Sequence, residues 1–208
     1  PVCLDSGGGV QFEIMRAFSD KEILDRVESL PTFKGWVKGI YNVWVRSKAD
    51  AYDVFDDKCF TYQVRETGQR PVFIMKRDGT TNAGSYGLTH FRDYNRLGCA
   101  VLKSDHMVYG SHVKGFHKRN PLNPAYVQSK AWPYFRDNNG NQKAEEIGQE
   151  YYDIIGANDH KAGVFSKWIR NWSTACLVTA VRNQYDAWLA FMAKNGYPPL
   201  NTAILKEF

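Results

Sequence analysis

The chain has 208 residues, of which 43% are hydrophobic, 24% charged and 14% aromatic, a composition that excludes a disordered chain and fits a folded domain. Its mean hydropathy is −0.49, and no stretch approaches ~18 consecutive apolar residues, so a transmembrane helix is excluded. The net charge of +5 favours a polyanionic partner, yet no block of like charge appears, and a nucleic-acid-binding arm is not expected.

Residues 1–10 contain Gly7-Gly8-Gly9 and no apolar core of a secretion signal, so none is expected in the chain as given. Ser19-Asp20-Lys21-Glu22 reads as a capping box. Ile23, Leu24 and Val27 then share one helical face before Pro31. Residues 1–37 are accordingly expected to form a helical extension packed on a main domain spanning 38–208. From Gly39 the pattern turns to β-branched and aromatic residues, and strands are expected at Gly39–Arg46, Cys59–Arg65 and Val72–Met75. Thr80 to Pro124 is weakly periodic and rich in Gly, His and Asn, which reads as loops carrying short strands. Further strands are expected at Ala125–Gln128, Trp132–Arg136, Tyr151–Ile155 and Ala175–Val181. A closing helix carries Tyr185, Trp188, Leu189 and Met192 on one face, with Gly196 as its C-terminal stop. The fold class is therefore mainly β with peripheral helices near both ends.

The four cysteines, Cys3, Cys59, Cys99 and Cys176, are scattered without a C-x-x-C pair. This argues against a zinc ribbon and a dense disulfide framework, and the spacing selects no pairing. The segment His160 to Cys176 is more informative, because long connections between strands are uncommon unless functional. Adjacent flanking strands would bring its two ends together and set His160 beside Cys176. A Cys next to a His is the arrangement of an activated nucleophile: the imidazole takes the thiol proton, and an ion pair would lower the thiol pKa. Ser173, Thr174 and Ala175 are small and let backbone N–H groups approach a bound carbonyl. The N–H groups of Cys176 and its predecessor are candidates for stabilising an oxyanion. Trp168 and Trp172 bracket the loop and could line a substrate groove, and Trp172 is read as core, with groove lining the alternative. Lys161, Lys167 and Arg170 offer cations for substrate carboxylates. His112 and His117 with an acid would make a metal site only by force, since no H-E-x-x-H or comparable spacing is present, and no metal or cofactor is expected.

Asn158-Asp159-His160 followed by Asn171-Trp172-Ser173-Thr174-Ala175-Cys176 resembles the signature of the L,D-transpeptidase (YkuD-like) catalytic domain, in its phage and bacterial branch with a Trp-Ser-x-Gly-Cys element. Upstream, Trp44-Val45-Arg46 with Asp53, Asp56 and Asp57, then Thr80-Thr81-Asn82-Ala83-Gly84, and Gly110-Ser111-His112 with the strands after it, are similar to that branch's earlier blocks. The likeness spans roughly 38–192. It implies a β-sandwich-like catalytic fold and a cysteine acyl-transfer enzyme acting on peptidoglycan stem peptides without a cofactor. It further implies Cys176 as nucleophile, His160 as base, Thr174 and Ala175 at the oxyanion turn, and His112, Ser173, Trp172 and Arg170 toward substrate. The site of action would be the bacterial cell wall or periplasm, and a phage or prophage origin fits the branch. The sequence departs from the family pattern in three places: Ala175 replaces its glycine, Thr174 its second histidine and Leu177 a frequent glutamine. An alanine forced to positive φ would cost about 1 kcal/mol or more. Two other classes stay open: a catalytically impaired wall-binding or virion-associated module of the same fold, and a metal-dependent peptidase or nuclease using His112 and His117.

Overall fold

A computed structural model describes residues 15–49, 52–163 and 166–208; Cys3, the glycine run and most of the first half of the expected 1–37 extension lie outside these residues. The strands are β1 (Gly39–Arg46), β2 (Asp57–Val64), β3 (Val72–Thr80), β4 (Cys99–Leu102), β5 (His106–Phe116), β6 (Pro124–Gln128), β7 (Trp132–Asp137), β8 (Tyr151–Asp153), β9 (Asp159–Lys161), β10 (Leu177–Thr179) and β11 (Leu200–Lys206). The helices are α1 (Asp20–Glu28), the short α2 (Ser85–Thr89) and α3 (Arg182–Lys194). The expected class, mainly β with peripheral helices, is what the chain adopts. Its sheets differ from the sandwich-like layering that the family likeness implied. Eight strands close into a barrel in the order β1-β11-β5-β6-β9-β10-β3-β2, and β4-β7-β8 form a separate three-stranded sheet.

Local chemistry accounts for the helix ends. Ser19 Oγ accepts the Glu22 N–H at 3.3 Å, and the Glu22 carboxylate accepts the Ser19 N–H at 2.8 Å, so both arms of the capping box are made. Ile23, Leu24 and Val27 then pack on Tyr41, Val43, Val45, Phe60 and Tyr62, the outward face of β1 and β2. At the far end, Gly196 takes φ +74° while the Tyr197 N–H reaches the Met192 carbonyl at 2.9 Å and the Gly196 N–H that of Ala193 at 3.0 Å, a Schellman stop for α3. Tyr185, Trp188 and Met192 of α3 pack with Ile40, Tyr126 and Leu200. The three-stranded sheet contributes Ala100, Leu102, Trp132 and Tyr134 to a third cluster around Trp44, Cys59, Leu177 and Ile204. Because helix α1 covers one face of β1 and the barrel interior the other, that strand is almost wholly buried and reads as a largely apolar run broken by Asn42.

The barrel interior is not uniformly apolar. Arg77, fully buried on β3, grips Asp159 of β9 with both terminal guanidinium nitrogens, at 3.1 Å and 3.0 Å. Thr179 Oγ1 accepts from Arg77 at 2.8 Å, and the Asn42 amide donates to Asp159 at 3.0 Å. The guanidinium lies 4.2 Å from the ring centroid of Trp188 and 5.5 Å from that of Trp44, with cation–π attraction on both. A second buried carboxylate, Asp57, accepts the N–H of Ser47 at 2.8 Å and both the N–H and hydroxyl of Thr81 at 2.6 Å.

Candidate functional site

Strands β9 and β10 run parallel, with Val178 opposite His160, and the Leu177 N–H reaches back to the Asn158 carbonyl at 2.9 Å. This register brings His160 and Cys176 together across 16 residues of sequence. His117, in the 3₁₀ turn after β5, completes the group: one ring nitrogen from each histidine and the Cys176 Sγ all lie within 4.8 Å of one another. The two imidazoles stack with centroids 4.0 Å apart at 30°. His160 Nδ1 lies 2.9 Å from the Lys161 carbonyl. A carbonyl only accepts, so Nδ1 carries the proton and Nε2 keeps its lone pair. Nε2 is buried and has no partner among the described residues.

The ends of the loop are pinned from several elements. The Ile155 and Ala157 N–H groups donate to Gln128 Oε1 at 3.0 Å and 2.9 Å, and Gln128 N–H donates to Asn158 Oδ1 at 3.0 Å. Further along, the Ile169 N–H donates to the Asp53 carbonyl at 3.0 Å, and the Arg170 and Ser85 N–H groups donate to Asp53 Oδ1, at 2.5 Å and 2.8 Å. The Gly84 N–H meets the Ser173 carbonyl at 3.0 Å, and a Cβ at Gly84 would fall 2.3 Å from the Arg170 carbonyl. Asp53 and Gly84 thus buttress the segment leading to Cys176.

A pocket of about 230 Å³ opens beside the cluster, bordered by His117, His160, Lys161, Gly163, Trp172 and Arg182. Trp172 is 39% exposed there, which makes it groove lining and not core. Thr174 and Ala175 border a different pocket, of about 200 Å³, with Tyr94, Asn95 and Arg136.

Three candidates for substrate contact are placed elsewhere. His112 sits in the core with Nε2 donating to the Ala157 carbonyl at 2.8 Å and Nδ1 facing Ser111 Oγ at 2.8 Å, so it braces the backbone leading into β9. Ser173 is buried, and its hydroxyl donates to the Cys176 carbonyl at 2.9 Å. Arg170 is exposed, and its backbone, at φ +46°, ties down the loop. Ala175 is absent from the positive-φ residues among those described, so alanine in place of glycine carries no left-handed strain. His112 does not join His117 in a metal site. Sequence reasoning paired His117 with His112 and missed its place beside His160 and Cys176. Its signal was there, since Gly115-Phe116-His117 repeats the Gly-x-His spacing of Gly110-Ser111-His112.

Electrostatics also depart from expectation. Burial pushes the Cys176 thiol up to about 11, with the Asn158 backbone N–H opposing that rise. Burial also lowers His160, and burial with the neighbouring His160 and Lys118 takes His117 down to about 4. At neutral pH the site is thus a neutral thiol beside two neutral imidazoles, where the sequence predicts a thiolate–imidazolium pair. Both imidazoles are desolvated and uncharged, so nothing cationic touches the sulfur strongly enough to ionise it. Iodoacetamide labelling of Cys176, followed by peptide mass mapping, is expected to be slow at pH 7 and to rise steadily toward pH 11. A plateau reached by pH 7 would show an ionised resting thiol instead.

Cys59, Cys99 and Cys176 are free thiols. No helix is long and apolar enough to cross a membrane among the described residues. Comparison with family models, curated proteins and solved structures finds no match to this chain.

Proposed function

We propose that the protein is a cysteine acyl-transfer enzyme of L,D-transpeptidase type that acts on peptidoglycan stem peptides through a thioester on Cys176. The observation that supports this most is the juxtaposition itself: one ring nitrogen of His160 and the Cys176 Sγ lie within 4.8 Å of one another, with His160 Nε2 buried and unpartnered and the resting thiol facing the Gly156 carbonyl at 3.7 Å. The stem-peptide substrate comes from the motif resemblance, with which the net positive charge agrees.

In this reading a stem peptide enters by the pocket at Trp172, and its third-residue carbonyl meets the thiol. Sulfur attacks carbon as its proton passes to His160 Nε2, a concerted transfer suited to a site that starts neutral. Backbone N–H groups at Ala175 and Cys176 receive the oxyanion. Collapse breaks the amide bond to the D-residue, whose amine leaves with the proton from His160. An amine from a second stem then takes the acyl group to give a cross-link, or water takes it to give a trimmed stem. Work at the bacterial cell wall and a phage or prophage origin belong to the same reading.

The test is intact-mass spectrometry after incubation with purified disaccharide-tetrapeptide, in buffer containing a chelator. The expected result is an adduct on Cys176 equal to the disaccharide-tripeptide acyl group, with trimmed or cross-linked products in the same sample. Muropeptide bound without adduct or product would replace this reading with the wall-binding module.

A further inference from the structure

The cluster of His117, His160 and Cys176 has a second chemistry open to it, independent of acyl transfer. Sulfur with two imidazole nitrogens is the donor set of zinc centres and of other thiophilic ions, while oxygen-seeking Mg²⁺ and Ca²⁺ avoid it. The three donor atoms lie within 4.8 Å of one another, whereas tetrahedral zinc places such donors about 3.3–3.6 Å apart. A contraction of up to about 1.2–1.5 Å is therefore needed.

The arrangement allows it. His117 is half-buried and is held by the stack on His160 and by a long 3.4 Å contact from the Asn158 amide to its Nδ1. It stands at the start of a turn in which Lys118 and Arg119 both take positive φ. Coordination demands that the stack splay, that the donors draw together and that the thiol give up its 3.7 Å bond to the Gly156 carbonyl. His160 is pre-set: it is 4% exposed, its Nε2 is unpartnered, and its Nδ1–H donates to a backbone carbonyl, the outer-shell bond that zinc-bound histidines make. The two cations at the rim of the pocket, Lys161 and Arg182, are both engaged by Asp186, at 2.9 Å and 3.4 Å.

We propose that His117, His160 and Cys176 bind one thiophilic divalent cation, of the class of Zn²⁺, with the fourth coordination position facing the pocket beside Trp172. Binding replaces the S–H bond by a metal–thiolate bond and releases the proton to solvent, with no change of oxidation state. It ties up the sulfur and the His160 lone pair together, so the occupied site cannot perform nucleophilic chemistry.

The experiment uses chelator-stripped protein titrated with Co²⁺, followed by Zn²⁺ competition and equilibrium dialysis. The expected result is one equivalent bound, with a near-ultraviolet thiolate-to-cobalt charge-transfer band and the visible bands of a four-coordinate ion, both displaced by Zn²⁺. Cys176→Ser removes the charge-transfer band. His117→Ala and His160→Ala each weaken Zn²⁺ binding more than about 100-fold, beyond the roughly 10–100-fold that loss of an outer-shell partner costs. His90→Ala, an exposed histidine outside the cluster, leaves it unchanged. Should the buried His160 variant not fold, the half-exposed His117 variant still decides the matter. Absence of the charge-transfer band, or Zn²⁺ affinity untouched by both His117→Ala and Cys176→Ser, overturns the proposal. Neither readout uses a muropeptide, so failure here is separate from failure of the acyl-transfer reading.

Discussion

Alanine at Cys176 is expected to abolish thioester formation and to lower stem-peptide turnover by on the order of 10⁴-fold or more. Alanine at His160 is expected to lower it by roughly 10²–10⁴-fold, the usual worth of a positioned base. The asymmetry follows from the site's resting state. With the thiol pushed up to about 11, almost no thiolate exists at neutral pH, so the reaction depends on a base able to take the proton during attack. His160, whose buried Nε2 has no partner among the described residues, is the base proposed for that step, and the thiol must turn to it from the Gly156 carbonyl that it faces at 3.7 Å. Loss of His160 should therefore be rescued in part by raising the pH, whereas loss of the sulfur should not. Single-turnover adduct formation by mass spectrometry across pH 6–10 separates the two. Equal rates in wild type and His160→Ala at pH 7 would remove His160 from the mechanism. Ala175→Gly is expected to leave the rate within a few-fold of wild type, because Ala175 occupies no left-handed conformation that glycine would relieve.

The second large effect concerns stability. Arg77→Ala is expected to destabilise the fold by about 3–5 kcal/mol, because it leaves the Asp159 carboxylate buried in the barrel without its cation. On a typical domain stability of about 5–15 kcal/mol that is a third or more of the total. Asp159→Asn should cost less than Arg77→Ala, since the amide still accepts from Arg77 and the guanidinium retains the rings of Trp188 and Trp44. Joint replacement, Arg77→Met with Asp159→Leu, is expected to recover most of the loss, so the two changes are strongly non-additive. Urea unfolding of wild type, Arg77→Met, Asp159→Leu and the double variant closes this cycle, with Arg77→Ala and Asp159→Asn measured beside them. A loss under about 1 kcal/mol for Arg77→Ala would mean that water reaches the carboxylate. Asp159 precedes His160, so the same substitution loosens the strand that carries the proposed base, and its effect on turnover should exceed its effect on substrate binding.

Elements governed by local signals were readable in advance. The capping box of α1, the 3.6-residue periodicity of α3 and the β-branched run of β1 each owe their structure to neighbours in sequence. Three barrel strands were not readable, for physical reasons. β5 is interrupted by Gly110 and Gly115. β9 has three residues and exists because β10 and β6 pair with it. β11 is buried on both faces from Leu200 to Leu205, so it has no alternation to detect. The juxtaposition of His160 and Cys176 was legible because flanking strands fix the ends of a loop whatever its interior does. His117 arrives from a distant hairpin, and the sequence suggests a pairing with His112 but none with Cys176. The neutrality of the site was hidden because desolvation is a property of the packed barrel, which no spacing of residues records.

The seam of the barrel carries one more consequence. β1 pairs in parallel with β11 from Ile40–Leu200 to Arg46–Lys206, so its two edges are drawn from segments about 160 residues apart. During synthesis the hydrogen-bonding edge of β1 emerges long before its partner exists, and the nascent chain must hold an open, largely apolar sheet edge until the last strand is made. Topologies dominated by such distant pairings fold slowly, on a scale of milliseconds to seconds. The ribosome-bound intermediate is thus the state of this protein most exposed to aggregation, and its yield in cells should respond to chaperone supply and translation speed.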